Sequence, residues 1–78
     1  MSALNVGVVG CAGRMGRALL TAINDAPDSH IAGGTDIAKS GWPGRDIGEI
    51  LGCNPMGLII GDDPETLFTT SDAIVDFT

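Results

Sequence analysis

The sequence predicts an α/β fold: an open parallel sheet of about four strands with flanking helices, the N-terminal part of a larger doubly wound domain. Three observations lead there. The β-branched run Leu4-Asn5-Val6-Gly7-Val8-Val9 ends in a glycine-rich turn, a pattern of helical period follows it, and a second strand-like run follows that. Strand, helix and strand in this order make a βαβ unit, whose crossover is right-handed.

The first run is short and rich in β-branched residues and reads as a buried parallel strand, because both faces can be apolar when helices cover both sides. Met15, Ala18, Leu19, Ala22 and Ile23 repeat at the spacing of one helix face. Pro27 ends that helix, because the residue before a proline is pushed out of the helical region. His30 to Thr35 reads as the second strand, and 38–44, with Trp42 and Pro43, as loop. Arg45 to Leu51 is expected to form one or two helical turns with Asp46 as the cap. Leu58-Ile59-Ile60-Gly61 is expected as a short strand. Asp63 and Pro64 suit the cap and first position of a short helix over 64–70. Ala73 to Phe77 reads as a further strand.

At 78 residues, such a chain buries only about 60% of its unfolded surface, a thin basis for an independent core. Residues 1–78 are accordingly read as the N-terminal part of a larger domain. The formal net charge of −6 and only four basic residues argue against a nucleic-acid partner. No run of apolar residues is long enough for a membrane helix, and no signal-type leader stands at the start. Cys11 and Cys53 make no metal-type pair and read as reduced thiols, so no metal site is expected and a cytoplasmic location is.

Gly10-Cys11-Ala12-Gly13-Arg14-Met15-Gly16 is a G-x-x-G-x-x-G variant of the dinucleotide fingerprint of Rossmann-like folds. Gly10 lets the chain turn out of the strand, Gly13 lets a pyrophosphate approach the backbone, and Gly16 lets the helix pack closely on the sheet. The helix N-terminus offers free N–H groups to phosphate, and Arg14 adds a charge beside them. Asp36 lies 20 residues beyond Gly16 at the end of the second strand-like run, where an acid hydrogen-bonds a ribose hydroxyl. A carboxylate there repels a 2′-phosphate and favours NAD. Lys39, three residues on, would soften that repulsion only if its loop folded back. A P-loop is excluded, because no Gly-Lys-Ser/Thr follows.

Val8 to Arg17, with Gly-Arg-Met-Gly as its specific part, together with Asp46-Ile47-Gly48-Glu49 and the closing Ile74-Val75-Asp76-Phe77-Thr78, resembles the dihydrodipicolinate reductases. The resemblance spans the chain but only about the first third of a family member. It implies a cytoplasmic, usually tetrameric enzyme of the diaminopimelate route to lysine, reducing a cyclic imine-type dicarboxylate with NADH or NADPH. It also implies that Gly10 to Met15 wrap the pyrophosphate, Asp36 binds the adenosine ribose, and Phe77 and Thr78 sit near the nicotinamide. Many members carry an arginine directly after the ribose acid; Ile37 stands there, so NADH is expected to serve at least as well as NADPH.

The family's catalytic His and Lys would lie beyond residue 78, so no catalytic residue is assigned and the chain alone is expected to be inactive. His30 opens a strand far from the site and reads as a surface residue. Two other readings share the turn: an extended short-chain dehydrogenase or epimerase, and a non-catalytic NAD(H)-sensing domain. The Arg14-Met15 pair weighs against the first. Only sequence beyond the chain separates the second.

Overall fold

A computed structural model describes residues 4–77. Three parallel strands form one sheet, β1 (Leu4–Val9), β2 (Ser29–Thr35) and β3 (Ala73–Asp76), in the order β2-β1-β3. Central β1 is buried from Val6 to Val9, as a parallel strand covered on both faces should be. It pairs with β2 from Leu4↔Ser29 to Val9↔Thr35, and a register shift at Val6/Gly7 leaves Ala32 unmatched. Val6↔Ala73 to Val9↔Asp76 pair it with β3. All three carboxyl ends therefore meet at one edge.

Helix α1 (Arg14–Asp25) ends at Ala26, which is extended at φ −81°, ψ 134°, as a residue before proline should be. Its buried face differs from the expected one. Gly16, Leu20 and Ile23 are buried, Leu19 is half-buried, and Met15, Ala18 and Ala22 face solvent. The spacing is helical, but the stripe is turned by about one residue. Gly16 sets this rotation, because it alone can approach the preceding turn closely, and Met15 is left 60% exposed beside that turn.

Helix α2 (Ile47–Leu51) begins where expected. Its cap Asp46 accepts from Gly48 N at 2.7 Å and also from Met56 N and Gly57 N, both at 2.8 Å, so one carboxylate fixes a helix start and a distant loop. The expected short helix after Asp63 is a 3₁₀ helix over Pro64–Thr69, with Asp63 accepting from Glu65 N at 3.0 Å. The loop after β2 contains a 3₁₀ turn at Ala38–Ser40.

The expected strand at 58–61 is the main departure in the sheet. Ile59 makes an isolated antiparallel bridge to Asp46, and Gly61 a parallel one to Thr35. The segment thus leaves one partner after Ile60 and takes another at Gly61, so no regular ladder develops. Among the described residues the sheet has three strands. Val8, Leu20, Ile47 and Ile60 are fully buried where sheet, α1 and α2 meet. Thr78 lies outside the described residues.

Candidate functional site

The glycine turn is tied to the end of β2. Gly10 N and Cys11 N both donate to the Thr35 carbonyl, at 2.8 and 3.0 Å, and Gly10 has φ +80°. That left-handed conformation is why glycine stands at this exit. A Cβ on Gly16 would run into the Gly10 carbonyl oxygen and come within 2.7 Å of Cys11 Cα. The close approach at Gly16 is therefore to its own turn, where the sequence suggested the sheet.

Cys11 turns its side chain into the core, where a Cβ on Gly34 would come 2.9 Å from its sulfur. Burial, helped by the nearby Asp36 carboxylate, pushes the thiol up to about 11. Ala12 N donates to Asp36 Oδ2 at 2.9 Å, and Ile37 N to Asp36 Oδ1 at 2.8 Å. The acid chosen by spacing thus reaches the turn. Each of its oxygens keeps one acceptor position beyond these bonds.

The N-terminus of α1 lacks a cap. Gly13, at the cap position, is extended (φ −74°, ψ 171°), makes no side-chain capping bond, and no acid stands in the first turn. Arg17 N donates to Gly13 O, while Arg14, Met15 and Gly16 N–H have no partner among the described residues. Three free donors and the positive end of a helix suit a phosphate. Arg14 is exposed beside them. Arg17 is held back: its Nε donates to Ala12 O at 2.7 Å, and its guanidinium lies 5.3 Å from the Trp42 ring centre. Arg45 lies 5.2 Å from the same ring and pairs with Glu49 at 3.4 Å.

Next to the turn is a cleft of about 290 Å³, lined by Val9, Gly10, Thr35, Asp36, Ile37, Asp62, Pro64 and Asp76. It crosses the carboxyl ends of all three strands, on both sides of β1, where open α/β sheets hold their ligands. Among the described residues no lysine or arginine lines it. Lys39 is exposed on its 3₁₀ turn and makes no ion pair with Asp36. Thr35, 2% exposed, has a hydroxyl without a partner among the described residues.

Of the candidate residues, Gly10 and Asp36 line the cleft, and 11–16 form the turn and helix start beside it. Phe77 follows β3, its N–H donating to Val9 O at 3.0 Å. His30 is exposed at the opposite end of β2 from this edge. Thr35, Asp62, Pro64 and Asp76 are cleft residues to which the sequence assigned no binding role. Thr35 and Asp76 share the signal of standing last in a strand, and Asp62 follows an apolar run in the same way.

The family model described as "Dihydrodipicolinate reductase, N-terminus" matches residues 4–78. The chain belongs to the dihydrodipicolinate reductase family. Its match is to the N-terminal, nucleotide-binding part of these reductases. It is 44% identical over 78 residues to the 4-hydroxy-tetrahydrodipicolinate reductase of Nitrosospira multiformis, covering all of this chain and 29% of that protein. It is 40% identical over 74 residues to that of Halorhodospira halophila, covering 95% of this chain and 28% of the relative. The Bartonella bacilliformis reductase is 44% identical over 70 residues, covering 90% and 26%. The chain therefore spans less than a third of the curated relatives cited. Membership in this family answers the choice left open by the glycine spacing in favour of the reductases over the extended short-chain dehydrogenases. Among the described residues no helix is long and apolar enough to cross a membrane.

Proposed function

We propose that the full-length protein is an NAD(P)H-dependent 4-hydroxy-tetrahydrodipicolinate reductase of the diaminopimelate route to lysine, and that this chain is the segment holding its cofactor. The observation that carries this is the uncapped start of α1, with three free N–H groups beside a cleft edged by Asp36. In this reading the Gly10–Gly16 segment (Gly10, Cys11, Ala12, Gly13, Arg14, Met15, Gly16) wraps the pyrophosphate. Arg14, Met15 and Gly16 donate their backbone N–H groups to it, and the Arg14 side chain neutralises it from outside. Cys11 contributes backbone shape only, since its thiol is in the core and its N–H is bonded to Thr35. Asp36 accepts from the adenosine ribose hydroxyls with its remaining lone pairs. The family resemblance assigns Phe77 and Thr78 to the nicotinamide end.

When bound, the cofactor supplies a hydride to a small dicarboxylate. The chain's own residues orient and hold it, and the acid/base groups are assigned to the domain beyond residue 78. A cytoplasmic homotetramer, with no nucleic-acid or membrane partner, accords with the family. NADH is used at least as well as NADPH. Asp36 and Asp62 line the cleft, no lysine or arginine is among its lining residues, and Ile37 stands where a 2′-phosphate would need an arginine. The test is to compare KM for NADH and NADPH in the full-length enzyme. Equal or lower KM for NADH is expected, and a clear NADPH preference would overturn this assignment.

A further inference from the structure

The cleft contains an acid that neither the fold nor the phosphate and ribose contacts employ. Asp62 is exposed and lines the cleft, and its carboxylate has no hydrogen-bond partner among the described residues. Other aspartates nearby in sequence or space are engaged in structure: Asp36 with Ala12 and Ile37, Asp63 with Glu65, and Asp72 with Asn5. The contrast within the Asp62-Asp63 pair is the clearest, because one acid caps the 3₁₀ helix while its neighbour faces the cleft.

The backbone carrying Asp62 is anchored. Gly61 N donates to Gly34 O at 3.1 Å, and Asp36 N donates to Gly61 O at 3.0 Å. Asp62 therefore leaves a point fixed against the end of β2, next to the ribose acid. On either side along the chain segments that line the cleft stand the apolar side chains of Ile37, 60% exposed, and Pro64. Two apolar side chains and an unengaged acceptor suit a flat heterocycle that carries a hydrogen-bond donor on its edge. A carboxylate is acceptor-only when ionised, so it welcomes an exocyclic amino group and opposes a carbonyl oxygen at the same place.

We propose that Asp62 selects the base of the dinucleotide, accepting a hydrogen bond from the 6-amino group of adenine and excluding 6-oxopurines. The proposal rests on the cofactor reading above and adds a specificity residue to it. Asp36 reads the sugar and α1 reads the phosphates; Asp62 reads the base.

The test uses the full-length protein and measures Kd for NADH and for reduced nicotinamide hypoxanthine dinucleotide, in which an oxo group replaces that amino group. NADH should bind about tenfold more tightly, the size of one charge-assisted hydrogen bond that stays partly in water. Asp62→Asn offers a donor as well as an acceptor and should bring the two Kd values to within about threefold, with Tm unchanged because Asp62 holds nothing in the fold. Equal affinity of the wild type for the two dinucleotides, or an undiminished ratio in Asp62→Asn, would overturn the proposal. If the folded wild type binds neither, the cofactor reading itself fails and this proposal with it.

Discussion

The Asp36 carboxylate accepts a hydrogen bond from the backbone N–H of Ala12 at 2.9 Å, joining residues 24 positions apart. The acid proposed to bind the ribose is thus also the brace that holds the glycine turn against the end of β2. Asp36→Ala should act in two ways. It leaves the Ala12 N–H without its partner, costing about 1–2 kcal/mol in urea unfolding. It also removes the charge that opposes a 2′-phosphate, so the KM ratio of NADPH to NADH should fall. Lower stability with an unchanged ratio would leave Asp36 a brace and nothing more.

The middle and last glycines of the turn separate shape from binding. A Cβ at Gly16 would collide with the Gly10 carbonyl and Cys11, whereas one at Gly13 would meet only Gly10 O, at 3.5 Å. Gly16→Ala should therefore cost about 3 kcal/mol or more, since backbone atoms have nowhere to go. Gly13→Ala should stay within about 1 kcal/mol of wild type, yet weaken NADH binding about tenfold by placing a methyl where phosphate approaches. Urea midpoints and NADH fluorescence titrations of the two variants decide it. A stable Gly16→Ala would mean that the turn is held in some other way.

The glycine turn and Asp36 could be read in the sequence because each rests on spacing along a strand–turn–helix path. The rotation of α1 could not. Met15, Ala18 and Ala22 match the helical period as well as Leu20 does, and only the steric demand at Gly16 chooses between the two stripes. The run at 58–61 looked like a strand because it is apolar. Its course depends on Asp46 on one side and β2 on the other, partners no local pattern reveals. Asp62 was hidden for a similar reason: its unengaged state is visible only beside the bonds made by Asp63 and Asp36.

Two cysteines of opposite environment give an internal control. Cys11 is buried with its thiol raised to about 11, and Cys53 is exposed. At pH 8 that shift leaves Cys11 with about a hundredth of the thiolate of an ordinary thiol, before burial slows access further. A thiol reagent should therefore label Cys53 rapidly and Cys11 only on unfolding. Stability carries the matching sign. Below the ordinary thiol value of 9.0 both states are protonated, and above it the unfolded chain ionises first, so stability falls from pH 9 toward 11. Cys11→Ser should flatten that slope. Equal labelling of both cysteines in the folded protein would contradict the placement of Cys11.

Asp46 supplies the opposite pH signature. Hydrogen bonds from the N–H groups of Met56, then Gly48 and Gly57, hold its carboxyl below the usual 3.8. A depressed carboxylate stabilises the fold above its unfolded value and loses that contribution as pH falls through the folded one. Asp46→Asn keeps one acceptor oxygen and places an amide against backbone donors, so it should be less stable than wild type at pH 7. Once the pH has fallen through the folded-state value, below 3.8, the wild-type carboxyl is itself protonated, and at that acid pH the gap between the two urea midpoints should close. A gap of the same size at both pH values would show that Asp46 acts through its shape and not its charge.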